Sequence, residues 1–128
     1  MQYSIKYNDD KQIILITLVG EIDVTTMREA IKEAGQVIIE HQCNKIIGDF
    51  RETLFSVGTF DILRLYEFWI ETLKINHISP NESKRVVYIN PDQKNWEKFR
   101  FFETISVNRF SRVKIFYDLD KAIEWIQK

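Results

Sequence analysis

Short runs rich in β-branched and aromatic residues alternate along this chain with longer stretches in which apolar residues recur every three or four positions. Ser4 to Tyr7 and Gln12 to Val19 are rich in Ile, Leu, Tyr and Thr, and Asn8-Asp9-Asp10 between them tolerates a tight turn, so the first two runs predict a β-hairpin. Gly20-Glu21-Ile22-Asp23 breaks that pattern, and Asp23, Thr25 or Thr26 can accept hydrogen bonds from the free amides of a helix beginning there. In that helix Met27, Ile31, Ala34 and Ile38 share one face, which predicts packing on a sheet; Gly35 weakens it slightly. Lys45 to Phe50 is a short apolar run with Asp49 near its end, the mark of a buried strand with an exposed carboxyl end, and Arg51 to Gly58 reads as a loop.

The second half repeats the alternation. A helix is predicted from about Thr59 to Ile75, a loop from His77 to Lys84, and a buried strand from Arg85 to Ile89, ended by Asn90-Pro91-Asp92. A third helix runs from near Asn95 to Ser106 with Trp96, Phe99, Phe102 and Ile105 mostly inward and Phe101 left over. Val113 to Tyr117 is the last strand, and Asp118 caps a closing helix whose buried face is Leu119, Ala122, Ile123 and Ile126, with Trp125 at its edge. The order β-β-α-β-α-β-α-β-α predicts an α/β sandwich: a five-stranded, mostly parallel mixed sheet with one antiparallel strand, right-handed crossovers and four helices. In such a sheet ligands and partners meet the fold outside the carboxyl ends of the strands, so residues 49 to 58 are the first candidate region.

The helix from Thr59 to Ile75 is the unusual one. At about 100° per residue, Leu65, Trp69, Ile62, Leu73, Tyr66, Ile70 and Leu63 cover an arc of roughly 160°, wider than one core contact needs. Phe60 and Phe68 extend the arc into the polar stripe of Asp61, Arg64, Glu67, Glu71 and Lys74, which predicts an exposed Phe68 in an isolated monomer. Packing against a sheet and neighbouring helices accounts for the arc as well as an interface or a ligand cavity does.

At 128 residues the chain is expected to be one domain, 1–128, able to bury a core without disulfides or metal. Its 18 basic and 19 acidic residues leave a net charge of −1, which supplies no long-range field for nucleic acid and at most a peripheral membrane contact. Cys43 is the single cysteine, so a disulfide framework is excluded and a small buried hydrophobe in a reducing cytosol is the simplest reading. Met1 to Lys6 lacks a basic start followed by an apolar core, and no run reaches the roughly 18 apolar residues of a membrane span, so a soluble cytoplasmic protein is expected.

Several segments, in this order, resemble the SpoIIAA-like, STAS-type (STAS/SEC14-like) family of anti-sigma factor antagonist domains. Gly20-Glu21-Ile22-Asp23 looks like that family's entry to its first helix, and Ile47-Gly48-Asp49-Phe50-Arg51 resembles its central strand. Phe55-Ser56 stands where a Phe-Ser pair commonly opens the second helix. Arg112 to Phe116 with Asp118 to Ile126 is similar to the family's final strand and its Ala-x-x-Trp-Leu-type helix. The family's regulatory members carry an Asp-Ser-Ser-Gly or Asp-Ser-Thr-Gly turn whose hydroxyl is phosphorylated; here Leu54-Phe55-Ser56-Val57-Gly58 stands in its place. Ser56 and Thr59 are the candidate phosphate-accepting hydroxyls beside the strand-end Asp49, although either more simply caps the helix.

Other chemistries find little support. The two histidines, His41 and His77, lie in separate segments, so no metal site is expected. Ser56 and Cys43 sit in no recognisable triad frame, and Asp49 with Glu52 is read as structural rather than as an acid/base pair. The four glycines are scattered, so no nucleotide loop and no cofactor are expected. Lys98, Arg100, Arg109 and Arg112 interleave with Trp96, Phe99, Phe101 and Phe102, which reads as a core with a solvated rim rather than a surface for bases.

The leading expectation is a non-enzymatic regulatory or interaction module that docks on a protein partner, most simply itself as a homodimer. Its contact surface would be the second helix and the preceding loop, with Phe60, Leu65, Phe68 and Trp69 as anchors. The alternative, implied by the SEC14-like side of the resemblance, is a small apolar or lipid-like ligand between the second and third helices, lined by Tyr66, Trp69, Leu73, Trp96, Phe99 and Phe102.

Overall fold

A computed structural model of the chain describes residues 2–43, 45–77, 84–88, 96–108 and 112–128. The elements are β1 (Tyr3–Asn8), β2 (Ile13–Ile22), α1 (Val24–His41), β3 (Lys45–Phe55), α2 (Thr59–Ile75), β4 (Lys84–Tyr88), α3 (Trp96–Asn108), β5 (Arg112–Phe116) and α4 (Leu119–Gln127). The strands form one sheet in the order β1-β2-β3-β4-β5. The hairpin pair β1–β2 is antiparallel and the other three pairings are parallel. Each parallel step needs a crossover, and α1, α2 and α3 supply one apiece.

Of the three residues the sequence offers as the first cap, Asp23, Thr25 and Thr26, it is Asp23 that takes the position, and Asp118 caps α4 as expected. Asp23 accepts from the Thr26 amide at 2.8 Å, and Asp118 accepts from the Asp120 and Lys121 amides at 2.9 and 3.3 Å. α1 ends in a left-handed residue, Gln42, whose amide reaches back to the carbonyls of Ile38 and Ile39.

The strands β2 and β3 are longer than their sequence pattern suggests. The break expected at Gly20 does not end β2: Gly20 takes a left-handed φ of 86° and the strand continues to Ile22. That extension gives β3 a partner, so Arg51 to Phe55 is strand and not loop, with Val19 opposite Glu52 and Ile22 opposite Phe55. The register shifts between Thr17 and Val19 by one extra β3 residue, a β-bulge, and there the Thr53 hydroxyl donates to the Leu18 carbonyl at 2.7 Å. Of the loop expected after residue 50, only Ser56 to Gly58 remains. The segment 78–83, Ile89, Asn90-Pro91-Asp92 and Asn95 lie outside the described residues.

The sheet buries both faces. Ile14, Leu18 and Ile22 of β2 with Ile46 and Phe50 of β3 form the larger core beneath Ile31, Ala34 and Ile38 of α1 and Ile62, Leu65, Trp69 and Leu73 of α2. The opposite face packs Ile13 and Ile47 against Ala122 and Ile126 of α4. Fully burying an isoleucine or leucine side chain stabilises by about 1.5–3 kcal/mol, so the wide arc of α2 is consumed by sheet, α1 and α3 together. Two glycines permit close approach. A Cβ on Gly35 would lie 2.8 Å from Thr72 Cγ2, where α1 meets α2. A Cβ on Gly48 would lie 2.6 Å from Phe50 Cε2, so the bare backbone there lets the Phe50 ring fold back and meet Phe99 at 4.9 Å between centroids.

Candidate functional site

The middle of β3, where its pairing with β4 ends and its pairing with β2 is bulged, carries Asp49 and Arg51, both on the α4 face by alternation from Ile47, so the sequence-based placing of Asp49 at a strand end is corrected. Asp49 is 8% exposed, and its Oδ1 accepts from the Arg51 amide at 3.1 Å and from Arg51 Nε at 3.0 Å, while Oδ2 accepts from a terminal guanidinium nitrogen at 2.9 Å. The Arg51 guanidinium also stands 4.6 Å over the ring of Tyr88 on β4. The Asp49 carboxylate raises the pKa of Arg51, chiefly through this hydrogen bonding. A carboxylate engaged on both oxygens is a clamp on the strand where it bulges. Glu52, beyond the bulge, is exposed.

The turn into α2 differs from the expected capping. Gly58 is the N-cap, and its amide donates to Asp61 Oδ2 at 3.2 Å, so neither Ser56 nor Thr59 holds that position. Ser56 is an exposed residue before the cap whose amide donates to the Ile22 carbonyl at 3.0 Å; Val57 beside it is buried. Thr59 is the first helical residue, and its side chain lies outside the described atoms.

The four anchors proposed from sequence separate sharply. Phe60 is 80% exposed in the first turn of α2. Phe68, expected in solvent, is half-buried instead: it packs on the core and lies under the Arg28 guanidinium of α1, 4.8 Å from its ring. Leu65 and Trp69 are buried and present no surface. Leu54, a residue absent from the sequence-based set, is half-exposed next to the turn, with Val19 diagonal to it on β2.

Of the proposed cavity lining, Tyr66, Trp69, Leu73 and Phe99 are all buried beneath α2 and α3, while the side chains of Trp96 and Phe102 lie outside the described atoms. Sequence reasoning missed the residue at their centre. Arg85 on β4 is in register between Ile46 of β3 and Val113 of β5, both core residues, so its side chain enters the larger core. It is 7% exposed, with its guanidinium carbon 4.8 Å from the Trp69 ring centroid and 5.6 Å from that of Tyr66. Burial pushes its pKa down to about 9. Trp69 Nε1 is buried and has no hydrogen-bond partner among the described residues. A charged first residue in the run Arg85-Val86-Val87-Tyr88 was the available signal, because its register neighbours are apolar.

No family profile and no curated protein matches this chain. Solved structures do. The anti-sigma factor antagonist SpoIIAA in its unphosphorylated form aligns over 98% of this chain and 97% of its own, with a TM-score of 0.58 and 14% identity. An uncharacterised DUF3478-family protein with a SpoIIAA-like fold, from Shewanella loihica PV-4, aligns over 97% of this chain and 91% of its own, with a TM-score of 0.53 and 19% identity. The fold is SpoIIAA-like.

Elsewhere on the SpoIIAA-like scaffold the chemistry-bearing residues have structural neighbours. The Cys43 thiol is buried and donates to the Gln12 carbonyl at 3.0 Å, and the His41 ring stacks on Tyr7 at 3.9 Å. Among the described residues no three His, Cys, Asp or Glu side chains are grouped to hold a metal ion, and no helix is long and apolar enough to cross a membrane. Phe99 lies inside and Arg100 and Phe101 outside on α3, in keeping with a core and a rim.

Proposed function

We propose that this SpoIIAA-like chain is a single-domain, non-enzymatic regulatory module of the cytoplasm that docks on a protein partner, a second copy of itself in the simplest case. The observation that carries the reading is Phe60, a phenylalanine 80% exposed at the helix end that follows the carboxyl end of β3. Aromatic anchors dominate interface energetics, and an exposed phenyl ring gains most when a partner covers it. Leu54 lies just before the turn, and the exposed Ser56 hydroxyl beside it is the candidate for phosphate control, since a phosphate there would sit against the amides of the α2 N-terminus. Asp49, clamped on Arg51 in the middle of β3, steadies the strand that leads into this segment.

The test is the mass of the assembly by light scattering or native mass spectrometry. Phe60→Asp should reduce a wild-type dimer to monomer with an unchanged circular dichroism spectrum; a dimer that survives the substitution refutes the anchor. A second reading is a small apolar or lipid-like ligand between α2 and α3. It is favoured by one observation, the buried Trp69 Nε1, which has no hydrogen-bond partner among the described residues and lies within the proposed lining.

A further inference from the structure

β1 is one edge of the sheet, and among the described residues no strand pairs with its outer side. The Val19 amide donates to the Gln2 carbonyl at 2.8 Å, so Gln2 and, by alternation, Ser4, Lys6 and Asn8 turn their backbone groups toward β2. Tyr3, Ile5 and Tyr7 therefore aim their N–H and C=O groups outward, a row of donors and acceptors open to another strand. The opposite edge is closed at its centre. On β5 the Ile115 amide already donates to Glu103 Oε2 of α3 at 2.8 Å.

Beside the open edge runs α1. Its Thr26 hydroxyl donates to Gln2 Oε1 at 3.4 Å and its His41 ring stacks on Tyr7, so helix and strand lie side by side. Between these two points Glu29, Glu33, Gln36 and Glu40 form an exposed stripe at helical spacing. Burial, a hydrogen bond to Glu33 and the charges of Glu33 and Glu29 raise the pKa of Tyr3, which places both carboxylates against the strand. Lys6, the cation of β1, stands on the opposite face of the sheet, across from Leu15. Two copies joined edge to edge about a two-fold axis would set glutamate stripe against glutamate stripe and lysine near lysine. The edge thus disfavours its own copy and favours a cationic strand.

We propose that the β1 edge, with the acidic flank of α1 beside it, is a strand-addition site for an extended basic segment of a partner protein. Alternate residues of that segment carry Lys or Arg toward Glu29 and Glu33, and the residues between them are uncharged where they pass Lys6. Main-chain bonds to Tyr3, Ile5 and Tyr7 supply the affinity, and the carboxylates supply the choice of sequence. This contact is additional to the docking proposed above and stands without the Phe60 anchor.

The experiment adds the blocked peptide Thr-Lys-Val-Lys-Val-Lys-Thr to the full chain, with Thr-Glu-Val-Glu-Val-Glu-Thr as its charge-reversed control, and follows backbone amides by NMR. The lysine peptide should newly protect the Tyr3, Ile5 and Tyr7 amides from hydrogen exchange. The glutamate peptide should bind at least about tenfold more weakly at low ionic strength. Glu29→Lys combined with Glu33→Lys should invert that preference, and both positions are exposed, so the fold is spared. N-methylation of every second residue of the lysine peptide should abolish binding in one alternate set and spare it in the other, because only one set faces β1. Equal binding of the two peptides overturns the charge assignment. No binding of the lysine peptide, protection at other amides, or binding that survives both methylation patterns overturns the strand-addition site and leaves the Phe60 anchor to its own test. A dimer whose Tyr3, Ile5 and Tyr7 amides are protected without peptide would put a second copy on this edge and overturn the basic occupant.

Discussion

The contact between α1 and α2 makes a quantitative prediction at Gly35. A Cβ added there would stand 2.8 Å from Thr72 Cγ2 and 3.3 Å from Asn76 Nδ2, against a comfortable carbon–carbon separation of about 3.5–4.0 Å. Thr72 cannot simply turn its methyl away, because its hydroxyl donates to the Phe68 carbonyl at 2.8 Å and that bond fixes the rotamer. Overpacking of this kind costs roughly 1–3 kcal/mol, whereas alanine in place of a mid-helix glycine gains about 1 kcal/mol. Gly35→Ala should therefore lower stability by about 1 kcal/mol instead of raising it. Thr72→Ser removes the offending methyl and keeps the hydroxyl, so in that background the same substitution should be neutral or gain up to about 1 kcal/mol. Urea unfolding of wild type, the two single variants and the double variant, followed by tryptophan fluorescence, closes the cycle. A Gly35→Ala protein more stable than wild type, by the same amount in both backgrounds, would show that the helices have slack between them and refute the reasoning.

Two further predictions concern how the elements are held. Ile126 is wholly buried where α4 meets Ile13 and Ile47, so Ile126→Ala should cost about 2–5 kcal/mol in a urea melt; a loss under 1 kcal/mol would mean α4 contributes little to the fold. The Thr26 amide, donating to Asp23, holds that carboxyl below its ordinary pKa. The stabilisation is therefore present above the ordinary carboxylate value of about 4 and lost progressively as pH falls below it and through the depressed one. The melting temperature of wild type should fall relative to Asp23→Asn across that window and stay at a constant offset above it; parallel curves throughout would refute the cap.

The division between sequence and tertiary structure follows from the range of the forces involved. The order of strands and helices, the aspartate caps and the apolar faces of α1 and α4 are local properties, set by periodicity and by side chains that bond amides a few residues away, and they were legible in the chain. The limits of β2 and β3 were not. A strand continues only where a neighbour offers its edge, and Arg51 to Phe55 found that partner in a β2 that passed through Gly20. Exposure on α2 was likewise undecided by its helical wheel, since Arg28 of α1 covers Phe68 while nothing within the described residues covers Phe60 to the same degree. Arg85 is the extreme case. Its sequence places a cation at the start of an apolar strand, where solvent is the ordinary destination. Its pairing with Ile46 and Val113 turns the same side chain into the core, because in a sheet the neighbouring strands, not the residue, decide which face is buried.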